Sequence, residues 1–209
     1  MSGARITVVD YGIGNLRSAE RALRHVGADA VLSTDPVEIA AADAVVLPGV
    51  GAFGACIDAL ASSGLERAVR DAVASGRPFL GICVGMQMLF DGSDESPGVV
   101  GLGIVPGWVR WIPPGVKRPQ MQWNRLSIRA DDVAFVGLGP SPWMYFVHSL
   151  HGVPIDPADV IATCEYGTDL TAAVRRGNVL ATQFHPEKSA TAGLGLLANF
   201  VASIPASES

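Results

Sequence analysis

The sequence predicts an α/β fold: a mainly parallel central sheet flanked by helices, with a smaller, partly antiparallel sheet in the second half. Three observations predict it. Apolar runs without polar alternation recur at Ile6–Val9, Ala30–Ser33, Ala44–Leu47, Pro78–Ile82 and Val179–Phe184, as strands covered on both faces require. The early runs are separated by stretches with apolar residues at helical spacing, the alternation that builds parallel sheets. After about Asp91 the character changes to Gly- and Pro-rich segments with short, alternating, aromatic runs. Neither a repeat nor a linker divides the chain, so one domain is expected over residues 1–204, with a frayed tail at 205–209.

The 209 residues are 49% hydrophobic and 17% charged, enough for a full core in a single domain. A net charge of −5 gives no positive footprint for nucleic acid or an anionic membrane. No apolar run approaches the roughly 18 residues of a membrane span. Ile6–Val9 is too short for the apolar segment of a signal peptide. Cys56, Cys83 and Cys164 are odd in number and widely spaced. They fit neither a disulfide framework nor a zinc site, and point to a reducing cytoplasm. With no metal cluster and no phosphate loop in the pattern, no cofactor is expected.

Taken in order, Ile6–Val9 is a strand that ends at Asp10-Tyr11-Gly12-Ile13-Gly14-Asn15. Leu16, Ala19, Leu23 and Val26 then mark a helix that Gly27 can cap. A strand, a Gly-x-Gly loop and a helix invite a dinucleotide reading. The third glycine of that fingerprint would fall where Arg17 stands, and no acid clearly follows a second strand. Ala30–Ser33 is the second strand. Ala44–Leu47 is the third and is closed by Pro48-Gly49-Val50-Gly51. Leu60, Leu65, Val69 and Val73 mark helical material up to Gly76. Pro78–Ile82 follows, then a helix from Val84 carrying Met86, Leu89 and Phe90. Ligands of such sheets bind beyond the carboxyl ends of the strands. The loops at 10–15, at 48–51 and at Cys83 all lie there. In the second half, Trp108–Ile112, Leu126–Ile128, Met144–Val147, Val160–Tyr166 and Leu170–Arg175 read as shorter strands, with a turn at Arg176-Gly177-Asn178. Val179–Phe184 is the last buried strand. Leu194, Leu197, Phe200 and Val201 form the apolar face of a C-terminal helix.

Gly81-Ile82-Cys83-Val84-Gly85 has the form of a nucleophile elbow, a sharp strand-to-helix turn whose flanking glycines relieve crowding. It would expose the Cys83 sulfur over the start of a helix, whose dipole and N–H groups favour thiolate. A buried structural cysteine beside a glycine-rich turn fits the same five residues. A cysteine nucleophile needs an oriented base. His25 lies beside Arg24 and is expected to face solvent. His148 and His151 fit a loop or an interface. His185 ends an apolar strand in Gln183-Phe184-His185-Pro186-Glu187. Pro186 restrains it to extended backbone, and Glu187 is close enough to take its Nδ1 proton. The tripeptide alone also fits a surface turn. An oxyanion hole would take one N–H from Val84 and another from the Pro48–Gly51 loop.

The elbow, read on to Met86 and Gln87, together with His185-Pro186-Glu187 resembles the class I, triad-type glutamine amidotransferases. The Asp10–Leu16 stretch, Pro48-Gly49-Val50-Gly51, the residues Met121, Trp123 and Asn124, and Tyr145-Phe146-Val147-His148-Ser149 narrow the resemblance to the glutaminase subunits of imidazole glycerol phosphate synthase. The resemblance runs from Ile6 to about Phe200. It implies that Cys83 attacks glutamine, that His185 carries the proton and that Glu187 orients His185. Val50, Gly51 and Val84 would surround the oxyanion, and Gln87 with the backbone near Ser149 would hold glutamine. Ammonia would pass to a separate (β/α)₈-barrel cyclase subunit in a heterodimer, with Asn15, Trp123, Asn124, Tyr145 and Lys188 toward that partner. The chain alone would be a poor glutaminase that the partner switches on. Three positions depart from the family pattern: Gln120 stands for a histidine, Gln122 for a glycine and Leu150 for an aromatic. A glutaminase of another class I amidotransferase is the nearest rival. A flavodoxin-like cysteine hydrolase would lack the distal His-x-Glu, and a non-catalytic subunit need not keep all three residues.

Overall fold

The computed structural model describes residues 3–205; of the expected frayed tail, residues 206–209 lie outside the described part. The first half alternates as its apolar runs predict. It comprises β1 (Arg5–Val9), α1 (Leu16–His25), β2 (Asp29–Ser33), α2 (Pro36–Ala41), β3 (Ala44–Gly49), α3 (Phe53–Ser62), α4 (Glu66–Ala74), β4 (Phe79–Cys83) and α5 (Val84–Gln87). The second half holds β5 (Gly92–Ser93), β6 (Gly107–Trp111), β7 (Gln120–Arg125), β8 (Ser127–Ile128), β9 (Trp143–His148), β10 (Leu150–Pro154), β11 (Val160–Glu165), β12 (Asp169–Arg176), β13 (Val179–Thr182) and α6 (Ala190–Ala202). Among the described residues no helix is long and apolar enough to cross a membrane.

An eight-stranded sheet runs in the order β2-β1-β3-β4-β13-β12-β11-β8. The first five of these are parallel and the last three continue it antiparallel. The antiparallel strands expected as a smaller sheet are therefore partly an extension of the large one. Two further sheets, β10-β6-β5 and the β7-β9 pair, stand beside it. Every residue of β3, β4 and β13 is buried, which is why these runs show no polar alternation. The last of them returns to the middle of the sheet, with Val179 opposite Phe79 and Thr182 opposite Ile82. The carboxyl ends of β1, β3, β4 and β13 consequently share one edge.

The elbow is a steric solution. Cys83 has φ 56° and ψ −112°, a region costing a non-glycine residue on the order of 1–3 kcal/mol. The turn lays α5 directly on β3. A Cβ at Gly85 would sit 1.9 Å from the Leu47 carbonyl oxygen, and one at Gly81 would meet the Gly85 oxygen at 3.1 Å. The helix after the elbow is shorter than its apolar stripe predicts. The N–H groups of Leu102, Gly103, Ile104 and Val105 take the carbonyls of Met88, Phe90 and Leu89. Those carbonyls cannot then continue the helix. Met86, Leu89 and Phe90 are nonetheless fully buried.

Some elements carry weak sequence signals. The α2 helix has a sound start, since Asp35 accepts the Val37 N–H at 2.8 Å and Pro36 opens the first turn. The helix is only six residues long, too few for a periodic stripe. β7 is mostly exposed and reads Gln-Met-Gln-Trp-Asn-Arg, so it has no apolar alternation. Its partner β9 supplies the order through full antiparallel pairing.

Replacing Gly85 by Ala should cost at least about 3 kcal/mol, because the new methyl meets fixed backbone, whereas Gly81→Ala should cost about half of that or less. Denaturant unfolding of both variants checks the ranking, and equal losses would contradict the close approach of α5 to β3.

Candidate active site

The pairing of β13 with β4 brings His185 to the cavity that Cys83 lines, across a hundred residues of sequence. His185 has extended backbone at φ −99° and ψ 96° and opens a single turn of 3₁₀ helix led by Pro186, as a residue before proline should. Its Nδ1–H donates to Glu187 Oε1 at 2.9 Å, which leaves Nε2 for the reaction side. Asn15 donates its Nδ2–H to the same carboxylate oxygen at 3.2 Å. Ser189, fully buried, secures the turn: its hydroxyl donates to the His185 carbonyl at 2.6 Å and accepts the Tyr145 N–H at 2.9 Å. The His185 N–H in turn donates to the Tyr145 carbonyl at 3.0 Å.

The charges are held out of water. The side chains of His185 and Glu187 are each 2% exposed, and Cys83 is 3% exposed. His185 Nε2 and Glu187 Oε2 are buried without a hydrogen-bond partner. Burial by itself would drive His185 toward its neutral form. Its interactions with the Cys83 sulfur and the Glu187 carboxylate outweigh that and raise its pKa from 6.5 to about 10. The helix-dipole assistance expected for Cys83 is small, because α5 is four residues long and one turn sums few peptide dipoles. The electrostatic support for a thiolate comes mainly from His185 instead.

A cavity of about 280 Å³ opens over the sulfur. Val50, Gly51, Val84, Gln87 and Ser149, all expected around the substrate, line it together with Cys83 and His185. The Pro48–Gly51 loop is pinned on both sides of Gly49. Tyr11 donates its hydroxyl to the Pro48 carbonyl at 2.7 Å, and the Cys56 thiol donates to the Val50 carbonyl at 3.2 Å. A Cβ on Gly49 would lie 2.6 Å from the Gly85 nitrogen, so glycine there is a packing requirement as well as a freedom. Glu95, which no sequence pattern marks, also lines the cavity, and its carboxylate accepts the Phe53 N–H at 2.7 Å.

His148, expected in a loop or an interface, also borders the cavity, and both its nitrogens are engaged. Its Nδ1–H donates to the Leu150 carbonyl at 2.7 Å, and Nε2 lies 2.9 Å from the side-chain amide of Gln120. Burial lowers its pKa to about 4. His25 is exposed.

A family model described as "Glutamine amidotransferase class-I" matches residues 7–204. A relative named "Imidazole glycerol phosphate synthase subunit HisH", from Methanothermobacter thermautotrophicus, is 50% identical over 196 residues, covering 94% of this chain and 97% of its own. This chain belongs to the HisH family of class I glutamine amidotransferases. The HisH subunit of Salinibacter ruber is similar at 47% identity, covering 97% of this chain and 95% of its own. Among solved structures, PurLQS from Thermotoga maritima superposes with a TM-score of 0.75 at 20% identity, covering 97% of this chain and 99% of that one, a likeness of fold.

Against this HisH background the remaining expected residues fall in two groups. Trp123 and Tyr145 meet edge to face on the β7-β9 pair, 6.0 Å between ring centres, with Trp123 45% exposed. Lys188 is exposed, and Asn124 donates its side-chain N–H to the Glu165 carbonyl at 2.7 Å. None of these four lines the cavity. Asn15, also expected toward a partner, is half-buried and donates one side-chain N–H to Glu187. Gln120, one of the three positions expected to depart from the family pattern, is fully buried against His148.

Because its folded pKa is raised, the protonated form of His185 stabilises the fold fully below pH 6.5, and that contribution is lost as pH rises toward about 10. Glu187→Gln removes one of the two groups that hold the proton. The ring-proton NMR titration of His185 should then show its midpoint at least about one pH unit lower than in the unaltered chain; an unmoved midpoint would contradict the pairing.

Proposed function

We propose that this chain is the glutaminase subunit of an imidazole glycerol phosphate synthase, acting through Cys83, His185 and Glu187. The observation that carries this reading is the buried His185–Glu187 pair, whose histidine lines the same cavity as a strained elbow cysteine. The Cys83 thiolate attacks the side-chain carbonyl carbon of glutamine. A C–S bond forms and the carbonyl electrons move to oxygen, which takes N–H donors from Val84 and from the loop carrying Val50 and Gly51. The His185 imidazolium gives its proton to the amide nitrogen, the C–N bond breaks, and ammonia leaves. Neutral His185 then takes a proton from water as that water attacks the thioester. Collapse of the second tetrahedral species releases glutamate and restores the thiolate beside protonated His185. Glu187 keeps Nε2 directed at the reacting atoms throughout, and Asn15 holds Glu187.

Ammonia goes to a cyclase subunit with a (β/α)₈ barrel, in a heterodimer of the reducing cytoplasm. The aromatic pair Trp123–Tyr145, with Asn124 and Lys188, provides the surface for that partner. There ammonia joins N′-(phosphoribulosyl)formimino-AICAR ribonucleotide, giving imidazole glycerol phosphate and AICAR ribonucleotide. The exposed tryptophan on a two-stranded ribbon supports this reading, since such anchors concentrate binding energy.

Cys83→Ala should abolish glutamine-dependent synthesis while leaving synthesis from free ammonia, provided the cyclase is present. Retained glutaminase turnover would rule out Cys83 as the nucleophile. His185→Ala should lower the glutaminase rate by several powers of ten. In the unaltered chain, glutamate release should rise on adding the cyclase and again on adding its phosphoribulosyl ligand. Equal rates in all three conditions would refute the coupling.

A further inference from the structure

The hydrogen bonds behind Cys83 run in one direction. The Leu150 carbonyl can only accept. It takes the His148 Nδ1–H at 2.7 Å and the Gln87 Nε2–H at 3.2 Å. The Gln87 amide must therefore present its nitrogen on that side. The same nitrogen donates to Gln183 Oε1 at 3.0 Å. With its oxygen so occupied, the Gln183 amide turns Nε2–H toward the Cys83 sulfur, 3.8 Å away. Gln87 is 3% exposed and Gln183 is fully buried, so water does not compete for either amide.

A buried donor aimed at sulfur favours the anion, because a hydrogen bond to the charged form stabilises that form. The resting distance is long for this bond, and such contacts commonly tighten once substrate is in place. The other groups around the sulfur do not substitute for it. Burial pushes the Tyr11 hydroxyl and the Cys56 thiol up, so both stay protonated at neutral pH. Burial holds His148 neutral, and Glu95 at the cavity wall is an acid. Positive charge comes from His185, and a neutral donor from Gln183.

We propose that Gln183 is a fourth catalytic group of this chain: its amide N–H holds the Cys83 sulfur through the thiolate stages of the reaction, with Gln87 as the positioning residue that fixes which way the amide faces. The inference rests on the cysteine glutaminase reading above. The proton that leaves with ammonia comes from His185, so Gln183 keeps both of its own. The same chain of bonds ties the sulfur to the Leu150 carbonyl, adjacent to Ser149 in the cavity wall.

The test is the rate of Cys83 alkylation by iodoacetamide against pH, resolved by peptide mass spectrometry on the full chain, with neither glutamine nor cyclase present. In Gln183→Met, which keeps the bulk and removes the donor, the midpoint of the profile should move up by about one pH unit. With cyclase added, kcat for glutamine should fall about tenfold to a hundredfold while KM changes by less than about threefold. Gln87→Met should move the midpoint in the same direction by less, and it decides the matter alone if Gln183→Met does not fold. An unmoved midpoint in a folded variant overturns the proposal even if kcat falls, because loosened packing alone would lower kcat. If the unaltered chain releases no glutamate even with the cyclase and its phosphoribulosyl ligand present, the glutaminase reading fails, while the alkylation profile still decides the role of Gln183.

Discussion

The site depends on one strand pairing. β13 lies parallel to β4, with Thr182 opposite Ile82, and that register delivers His185 to the edge where Cys83 turns out of the sheet. A slip of one residue would send every side chain of β13 to the opposite face. Both strands are buried throughout, so a slip would force side chains of different size into close-packed sites on both faces, and that packing holds the register. Parallel pairing between distant segments is slow and entropically costly to form. The benefit is that four strand ends meet at one edge, which a local hairpin could not achieve.

Onto that frame the chain places charge where water cannot reach. A buried imidazolium and carboxylate are costly to desolvate, and breaking such a pair costs more than the pair gives. Here the carboxylate has Asn15 as well as His185, the turn is fastened by Ser189, and the imidazolium has the Cys83 sulfur near its other side. The exposed termini of a long helix are not needed. A one-turn helix suffices, because the base and, on our proposal, the Gln183 amide stabilise the sulfur directly. The unpartnered Nε2 of His185 is the expected state of a group whose partner is the reacting atom.

The parts legible in the sequence are those where a residue type is forced locally. Gly81 and Gly85 are legible because α5 leaves no room for side chains. The His185-Pro186-Glu187 run is legible because proline fixes the backbone that points histidine at its acid. The five apolar runs are legible because a two-sided sheet admits nothing else. What stayed hidden is set by distant parts of the fold. The end of α5 is decided by N–H groups of residues 102–105. The strand β7 exists because β9 pairs with it, not through its own pattern. Gln183 carries no spacing signal, since an amide inside an apolar strand reads as an exception until its partners are seen. Glu95 and Cys56 likewise act through contacts made only in three dimensions.

On this reading, a cysteine at the elbow takes glutamine in a cavity built by the β4–β13 pairing. The most direct test is covalent capture with a diazoketone analogue of glutamine, followed by peptide mass spectrometry of the chain with its cyclase partner. One label per chain is expected, on Cys83, suppressed by excess glutamine and absent from a His185→Ala variant at the same exposure. Label on Cys56 or Cys164, or label that glutamine does not suppress, would contradict it.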